Sequence, residues 1–211
     1  MRDAALGAVI LAAGAGRRLG GVAKALLPAP GGGTFLERIA ATARAAGTGE
    51  IAVVVGPPFG AEVAARATAI GATVVENPEP SRGMASSIAL GFAALGGTAC
   101  ARAWLWPVDH PGVARETLDA LAAALGDRDA ARPVACTAHC LGWCRAPDLG
   151  RACDGRGGHP PLIARRLFAA LVACADSPRG ARDVLAAADV IDVIVADRAC
   201  LRDVDTPEDL A

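Results

Sequence analysis

The chain has almost no aromatic residues and a single lysine. Among its 211 residues tyrosine is absent, aromatics make up 3%, and every other cationic side chain of the Lys and Arg type is arginine. The core must therefore be built from alanine, valine, leucine and isoleucine, for which a hydrophobic content of 53% is ample. Because arginine serves as the cation elsewhere, Lys24 indicates a task suited to a compact point charge, such as reaching a phosphate.

Further absences exclude classes of protein. No apolar run approaches the roughly 18 residues that a transmembrane helix needs. A formal net charge of −1 provides no basic field for binding nucleic acid or a membrane surface. Asp3 precedes the first apolar run, whereas a signal peptide begins with basic residues. We therefore expect a soluble cytoplasmic protein whose seven cysteines are free or metal-bound rather than joined in disulfides.

Short apolar runs alternate with amphipathic stretches along most of the chain. The run at residues 7–12 is typical of a strand buried on both faces of a parallel sheet, and Thr34 with Glu37 forms a capping-box pattern. Trp104 and Trp106 should share one face of a strand. The pattern predicts strands at 7–12, 51–55, 73–75, 103–108, 133–137 and 190–195, and helices at 34–46, 61–70, 84–95, 115–125, 162–174 and 181–188, with a further helix start at Thr206 and Pro207.

This alternation predicts one α/β domain over residues 1–211. The expected architecture is a three-layer αβα Rossmann-like domain with a mostly parallel sheet. In such sheets ligands bind at the carboxyl ends of the strands. Three predicted strands run into polar or glycine-rich segments, which begin near Gly14, Asn77 and Asp109. We expect these segments to lie along one edge of the sheet.

Gly14 and Gly16 follow the first predicted strand. Glycines at such a turn allow backbone N–H groups to approach a phosphate closely. The segment is not a P-loop, and Leu19 stands where a dinucleotide fingerprint has its third glycine. On spacing alone, a tight turn with Arg17 and Arg18 as solvated charges explains these glycines equally well.

Five motifs, in order, resemble the signature of the MobA-like nucleotidyltransferases. The resemblance covers most of the chain and is closest to the molybdenum cofactor cytidylyltransferases; the wider group includes the sugar-phosphate nucleotidyltransferases. The motifs are Leu11-Ala12-Ala13-Gly14-x-Gly16-x-Arg18-x-Gly20 with Lys24, Leu26 and Pro28; Asn77-Pro78 with Gly83-Met84-x-Ser86-Ser87; Pro107-Val108-Asp109-His110-Pro111; Gly155-Arg156-Gly157-Gly158-His159-Pro160; and Asp203-x-Asp205-Thr206-Pro207-Glu208-Asp209-Leu210.

The resemblance implies a fold of the nucleotide-diphospho-sugar transferase type and a Mg²⁺-dependent nucleotidyltransferase. An acceptor phosphate would attack the α-phosphorus of a nucleoside triphosphate and release pyrophosphate. The implied roles are nucleotide binding by Leu11, Ala12, Ala13, Gly14, Gly16, Arg18, Lys24, Asn77, Gly83, Ser86 and Ser87; catalysis by Arg18, Lys24 and Asp109; Mg²⁺ coordination by Asp109 and Asp205; and acceptor binding by Gly158 and His159.

Several of these assignments have a structural alternative. Carboxylates commonly occupy turns and first helical turns, serines commonly cap helices, and histidines often lie on the surface. The alternatives are a turn residue at Asp109, a helix-start acid at Asp205 with Asp203 as the metal ligand instead, helix caps at Ser86 and Ser87, a surface residue at His159, and a structural role for His110.

The nucleotide and the acceptor are predicted less directly. In the resembled family, Ala-Ala-Gly at residues 12–14 goes with the cytidylyl branch, and the methyl group of Ala13 narrows the space for a purine, so CTP is favoured. Molybdopterin is the first candidate acceptor. The alternatives are transfer to a sugar phosphate or phosphocholine, and an accessory protein that binds a nucleotide and delivers a cofactor to a partner enzyme.

The chain departs from the family in a cysteine-rich insertion at about residues 136–153. Cys136, Cys140, Cys144 and Cys153 lie there with His139, a set able to bind zinc or an iron–sulfur cluster. However, their spacing matches no established metal motif, and cysteine also serves as a small apolar residue. Metal binding and the identity of the acceptor are therefore both open at this point.

Overall fold

The computed structural model describes residues 5–135, 157–177 and 179–210. Its centre is a sheet built from the short apolar runs of the sequence. The strands are β1 (Leu6–Leu11), β2 (Thr48–Val55), β3 (Thr73–Glu76), β4 (Arg102–Pro107), β5 (Ala130–Ala135), β6 (Leu162–Ala164) and β7 (Val190–Val195). Their order across the sheet is β3-β2-β1-β4-β6-β5-β7.

Helices connect most of these strands. They are α1 (Phe35–Ala45), α2 (Gly60–Ala69), α3 (Met84–Gly96), α4 (Arg115–Leu125), α5 (Phe168–Ala173) and α6 (Ala181–Ala186). The capping box predicted for α1 is confirmed, since Thr34 Oγ1 accepts from the Glu37 N–H and Glu37 Oε2 accepts from the Thr34 N–H at 2.7 Å. A short 3₁₀ helix starts at Pro207, where a helix start was predicted.

The sheet is parallel except around one strand. β1 pairs in parallel with β2 and β4, β2 with β3, and β5 with β7, whereas β6 runs antiparallel to both β4 and β5. The mostly parallel α/β fold predicted from the sequence is therefore confirmed. Among the described residues, no helix has the length and hydropathy needed to cross a bilayer.

Apolar side chains fill both faces of the sheet. Ala8 and Ile10 of β1 belong to one cluster and Val9 and Leu11 to another, so alternate residues of the strand serve opposite faces. Apolar residues of α1, α2 and α4 complete the first cluster, and those of α3 and α5 complete the second. The two tryptophans of β4 share the first face, as predicted. These layers form the expected αβα arrangement.

Glycine allows α3 to lie close against the sheet. A Cβ atom on Gly91 would come within 2.2 Å of Val9 Cγ1, so no larger residue fits between this helix and β1. The close contact fixes the start of α3, and with it the loop before the helix, beside the carboxyl end of β1.

The prediction of one helix over residues 162–174 was wrong at its beginning. Residues 162–164 form β6, and a 3₁₀ turn separates this strand from α5. Leu162 and Ile163 are fully buried because β6 lies between β4 and β5. Pro160 and Pro161 precede the strand, and proline disfavours helical backbone in the residue before it. Residues 162–164 therefore form a strand, because they are buried within the sheet and follow an extended segment, although the residues after them have a helical pattern.

Other strand limits moved by a few residues. β5 begins at Ala130 rather than at residue 133, because Ala130 and Ala131 pair with Ile163 and Leu162 of β6. β2 begins at Thr48, whose hydroxyl accepts a hydrogen bond from Trp104 Nε1 at 3.1 Å. The predicted end of β5 beyond residue 135 lies outside the described residues, as does the cysteine-rich segment.

Candidate active site

The carboxyl ends of β1, β2, β3 and β4 lead into one large cavity. Its volume is about 860 Å³, and its lining joins segments that are far apart in the sequence. The lining residues are Leu11, Ala12, Ala13, Gly14, Ala15, Gly16, Arg17, Arg18, Lys24, Pro57, Pro58, Pro78, Pro80, Ser81, Gly83, Met84, Ser87, Pro107, Val108, Asp109 and Asp205. The expected meeting of the three polar segments along one sheet edge is thus what the structure shows.

Gly14 and Gly16 of the loop after β1 have different reasons to be glycine. Gly16 has φ 55°, and a Cβ atom there would lie 2.0 Å from the Val22 carbonyl oxygen, so the fold itself demands glycine. Gly14 lines the cavity and is exposed, and a Cβ atom on it would meet nothing within 4 Å. Glycine at residue 14 therefore keeps open space beside the loop, which suits close approach of a ligand.

Lys24 reaches across the cavity from a 3₁₀ helix, Lys24–Leu26. The helix is anchored by Ala25, which is 1% exposed. Lys24 Nζ lies 3.4 Å from Asp109 Oδ2 and also donates to Asp205 Oδ1, while Arg18 donates to the other oxygen of Asp205. The Lys24 side chain is only 14% exposed, so its charge is screened less than that of a surface lysine.

A main-chain hydrogen bond aligns the two carboxylates. Asp109 lies two residues after the end of β4, and its carbonyl oxygen accepts from the Val204 N–H at 2.8 Å, which brings Asp205 alongside. The hydrogen bond from Lys24 holds the pKa of Asp205 below its usual value, and the charge of Arg18 adds to this effect although partial burial opposes it. Asp109 Oδ1 is buried without a hydrogen-bond partner among the described residues.

In the loop before α3, Asn77 bonds within the protein. Its Nδ2 donates to the hydroxyl oxygens of Ser86 and Ser87, at 2.9 Å each, and its Oδ1 accepts from the Glu79 N–H. Ser86 in turn donates to the Gly83 carbonyl oxygen at 2.8 Å. Asn77 and Ser86 therefore hold the loop in place and line a smaller neighbouring cavity. Of this predicted group, Gly83 and Ser87 line the main cavity.

The predicted acceptor residues lie outside the main cavity lining. Gly158 is buried, and a Cβ atom on it would come within 2.5 Å of the Cys200 carbonyl oxygen. The His159 ring lies 4.9 Å from that of His110, and the His159 N–H donates to Cys200 at 2.8 Å. Burial lowers the pKa of His159 to about 4, and the nearby His110 adds to this, while Asp203 opposes it.

His110 joins this histidine pair to the carboxylates. Its Nε2 lies 3.9 Å from Asp109 Oδ1, and its carbonyl oxygen accepts from Trp106 Nε1 at 3.0 Å. It is 6% exposed, so the structural interpretation given to His110 from the sequence agrees with its position. His159 Nδ1 is buried and has no partner in the described part of the chain.

Sequence reasoning missed the apolar wall of the cavity. Pro57 and Pro58 follow β2 and were given no role in the predicted site, although β2 ends at the same sheet edge as β1. Met84, the first residue of α3, is 60% exposed at the cavity. The two prolines after a buried parallel strand were a usable signal, whereas the exposure of Met84 needs the structure.

The described residues contain no cluster of three or more His, Cys, Asp or Glu side chains able to hold a metal ion. Cys100, Cys174 and Cys200 are free and buried. Burial raises the pKa of Cys200 to about 11, so that thiol is not reactive. The proposed metal role of Cys136, Cys140, Cys144 and Cys153 concerns residues outside the described ranges.

Solved structures share the whole architecture. Rv0371c from Mycobacterium tuberculosis H37Rv is 24% identical with a TM-score of 0.72, over 100% of this chain and 97% of that one. A nucleotidyl transferase from Methanothermobacter thermautotroptrophicus is 21% identical with a TM-score of 0.70, over 98% and 94%. CMP:2-keto-3-deoxy-manno-octonic acid synthetase complexed with CTP is 16% identical with a TM-score of 0.71, over 98% and 95%. At these identities the likeness establishes the fold alone.

The family follows from the sequence itself. A model described as a MobA-like NTP transferase domain matches residues 8–192. The chain therefore belongs to the MobA-like NTP transferase family, which confirms the family predicted from its motifs. No sequence among curated proteins matches the chain.

Proposed function

We propose that the protein is a Mg²⁺-dependent cytidylyltransferase, which moves CMP from CTP to the phosphate of a small molecule and releases pyrophosphate. Molybdopterin is the first candidate acceptor. The observation that carries the proposal is one cavity joining an open glycine loop, two cations and two carboxylates. Phosphoryl-group chemistry needs positioning and charge neutralisation more than covalent help, and these are the groups that supply them.

The two carboxylates form a donor set suited to Mg²⁺. This ion takes one or two protein carboxylates and completes its shell with phosphate oxygens and water. Asp109 and Asp205 contact the same ammonium group, so they are close enough to share one cation. When bound, Mg²⁺ would neutralise negative charge on the triphosphate. The Rv0371c structure with manganese supports divalent-metal binding on this fold.

The remaining roles belong to the loop after β1 and the cations that follow it. The backbone N–H groups of residues 13–16 would hold phosphate oxygens, because Gly14 leaves that side of the loop open. The N–H of Ala12, at the start of the predicted loop, instead donates to the Val54 carbonyl oxygen at 2.8 Å. Arg18 and Lys24 would neutralise charge on the triphosphate while the bond to pyrophosphate breaks. Lys24 is present in the cavity for this task before a ligand binds, since its side chain is largely buried beside the carboxylates.

The cavity wall supports a pyrimidine base. Ala13 is 5% exposed and lines the cavity. Pro57 and Pro58 provide apolar surface nearby. A methyl group at residue 13 favours cytosine over the larger guanine.

Thermal unfolding in the presence of nucleotides tests this proposal. At equal ligand concentration, a ligand that binds only the folded state raises the melting temperature more the tighter it binds. With Mg²⁺ present, CTP should raise the melting temperature more than GTP does. The Asp109→Asn variant should lose most of this increase. Stronger protection by GTP would contradict the choice of CTP.

Sugar phosphates are the second class of acceptor, and phosphocholine is a further alternative acceptor. One solved structure with this fold is named as the synthetase of a CMP-linked sugar acid, which supports a sugar as acceptor but not the phosphate on it. The same nucleotide half would serve a sugar phosphate. A non-catalytic accessory protein is less well supported, because a pure binder needs no paired metal ligands and cations. Pyrophosphate release from CTP with a panel of phosphorylated acceptors distinguishes these functions.

A further inference from the structure

Four of the five charged residues in the described lining of the main cavity are paired with one another. Lys24 contacts Asp109 Oδ2 at 3.4 Å and Asp205 Oδ1 more closely, and Arg18 contacts the second oxygen of Asp205. Arg17 is the remaining charged residue in the described lining. Two of the three cations in this lining, Arg18 and Lys24, are thus the counter-ions of the carboxylates available to a metal.

Asp205 is the centre of this network. Each of its oxygens contacts a different cation, whereas Asp109 has a single, longer contact to Lys24. The side chains of Lys24 and Asp205 are 14% and 20% exposed, so water screens their attraction only in part. A ligand that removes both cations from Asp205 leaves a partly buried carboxylate without a counter-ion, which is unfavourable.

This arrangement makes metal and triphosphate dependent on each other. A metal-free triphosphate is a polyanion. To bind Arg18 and Lys24 it must draw them away from Asp205, and it then lies beside an unpaired carboxylate. A divalent cation that arrives with the triphosphate removes this cost, because the carboxylates bind the metal while the phosphates bind the cations. The two binding events are therefore positively coupled, and coupling of this kind is reciprocal.

We propose that Asp205 is a specificity-determining residue that excludes metal-free triphosphates and admits the metal–triphosphate complex. The inference rests on the proposed function, since it takes the cavity to be a nucleotide site. It goes further in giving one carboxylate a second task besides holding metal. The contacts also rank the two carboxylates. Removing the charge of Asp205 should raise the affinity for a metal-free triphosphate more than removing the charge of Asp109 does.

Calorimetric titration of CTP, with excess Mg²⁺ and separately with EDTA, tests the ranking. Wild-type protein should bind CTP much more weakly in EDTA. Asp205→Asn should bind metal-free CTP about tenfold more tightly than wild type does, a change within the usual range of coupling between sites. Asp109→Asn should show a smaller gain. Asp119→Asn is the matched control, because it removes one carboxylate from a surface pair with Arg115 on α4 and should bind as wild type does.

The outcomes separate the two proposals. If wild-type protein binds CTP with Mg²⁺ but Asp205→Asn gains no affinity for metal-free CTP, the specificity role of Asp205 is wrong. If wild-type protein binds no CTP even with Mg²⁺, the proposed function is wrong instead. Circular dichroism checks that each variant is folded. Should Asp205→Asn fail to fold, the absence of any gain in Asp109→Asn overturns the proposal.

Discussion

The two ends of the candidate site are built in opposite ways. At the proposed nucleotide end, defined by the loop after β1 and the charges near it, Gly14 has open space around it, and Arg18 and Lys24 pair with Asp205. At the histidine end, defined by Gly158, His159 and His110, groups are packed against the turn Arg198–Cys200. At the nucleotide end the ion pairs can exchange partners when a ligand binds. The histidine end is packed and supports the position of Asp109.

This contrast has a consequence for substitutions. Substituting a residue that has open space around it changes ligand binding but has little effect on the free energy of unfolding. Substituting a tightly packed residue mainly lowers the free energy of unfolding. Variants at the nucleotide end should therefore fold normally and lose activity. Variants at the histidine end should lose stability first.

The largest effect is expected for Lys24→Ala. Removal of one preorganised cation beside the triphosphate should lower the rate of pyrophosphate release from CTP by at least about 100-fold. Asp109→Ala should have an effect of the same size. Arg115→Ala, at an exposed pair on α4, is the control and should keep the wild-type rate. Normal rates in both cavity variants would show that the nucleotide end is misassigned.

The histidine end should make stability depend on pH. The pKa of His159 falls from 6.5 to about 4 in the folded protein, so between these values the unfolded chain binds a proton that the folded chain does not. The free energy of unfolding must then decrease as the pH falls through this range, by about 3 kcal/mol in total. His159→Gln should remove this contribution.

Urea unfolding of both proteins, from neutral to mildly acidic pH, measures the difference. Carboxylates with lowered pKa values, such as Asp205, also lose their stabilising effect in acid, but they do so in both proteins. The wild-type curve minus the variant curve therefore isolates His159. Parallel curves would show that this histidine is not buried in its neutral form.

Gly158→Ala should be the more damaging of two glycine substitutions for stability. Its added Cβ atom would lie 2.5 Å from a backbone oxygen, which cannot move aside cheaply. We expect a loss of about 2 kcal/mol in the free energy of unfolding, as for other overpacked sites. Gly49→Ala, in β2, is the matched control, because nothing lies within 4 Å of its Cβ position. A Gly158→Ala protein as stable as the control would contradict the packing.

Gly14→Ala should give the smallest change in stability and a distinct change in binding. Its Cβ atom meets no neighbour, so the free energy of unfolding should stay within about 0.5 kcal/mol of wild type. The methyl group would nevertheless occupy space that a phosphate needs, and affinity for CTP with Mg²⁺ should fall about tenfold. Calorimetric titration measures this. Unchanged affinity would show that ligands do not approach the loop at residue 14.

The sequence predicted those parts of the fold that depend on local pattern. The bounds of α4 and β7 match their predictions, because each is a clear periodic or apolar run with marked ends. The positions of Gly14 and Asp109 at strand ends follow from the parallel sheet. β6 was missed because three apolar residues are too few to distinguish a strand from a helix, and because burial between β4 and β5 decides the matter.

The site was predicted less completely than the fold. The family resemblance named Arg18, Lys24 and Asp205. Their mutual pairing joins the two ends of the chain, however, and no local sequence pattern encodes a contact over that separation. Asn77 is a polar residue after a strand, which from sequence looks ligand-facing; its amide instead bonds two serines of α3. Local pattern indicates which groups reach the sheet edge, and tertiary contacts decide which of them face the cavity.

Pyrophosphate release from CTP is the measurement that tests the central claim most directly. In the presence of Mg²⁺ and a phosphorylated acceptor, molybdopterin first, the protein should release one pyrophosphate for each CMP attached to the acceptor. Lys24→Ala measured in parallel shows that the signal comes from this cavity. Tight binding of CTP without pyrophosphate release, for every phosphorylated acceptor supplied, would contradict the account and favour a nucleotide-binding accessory role.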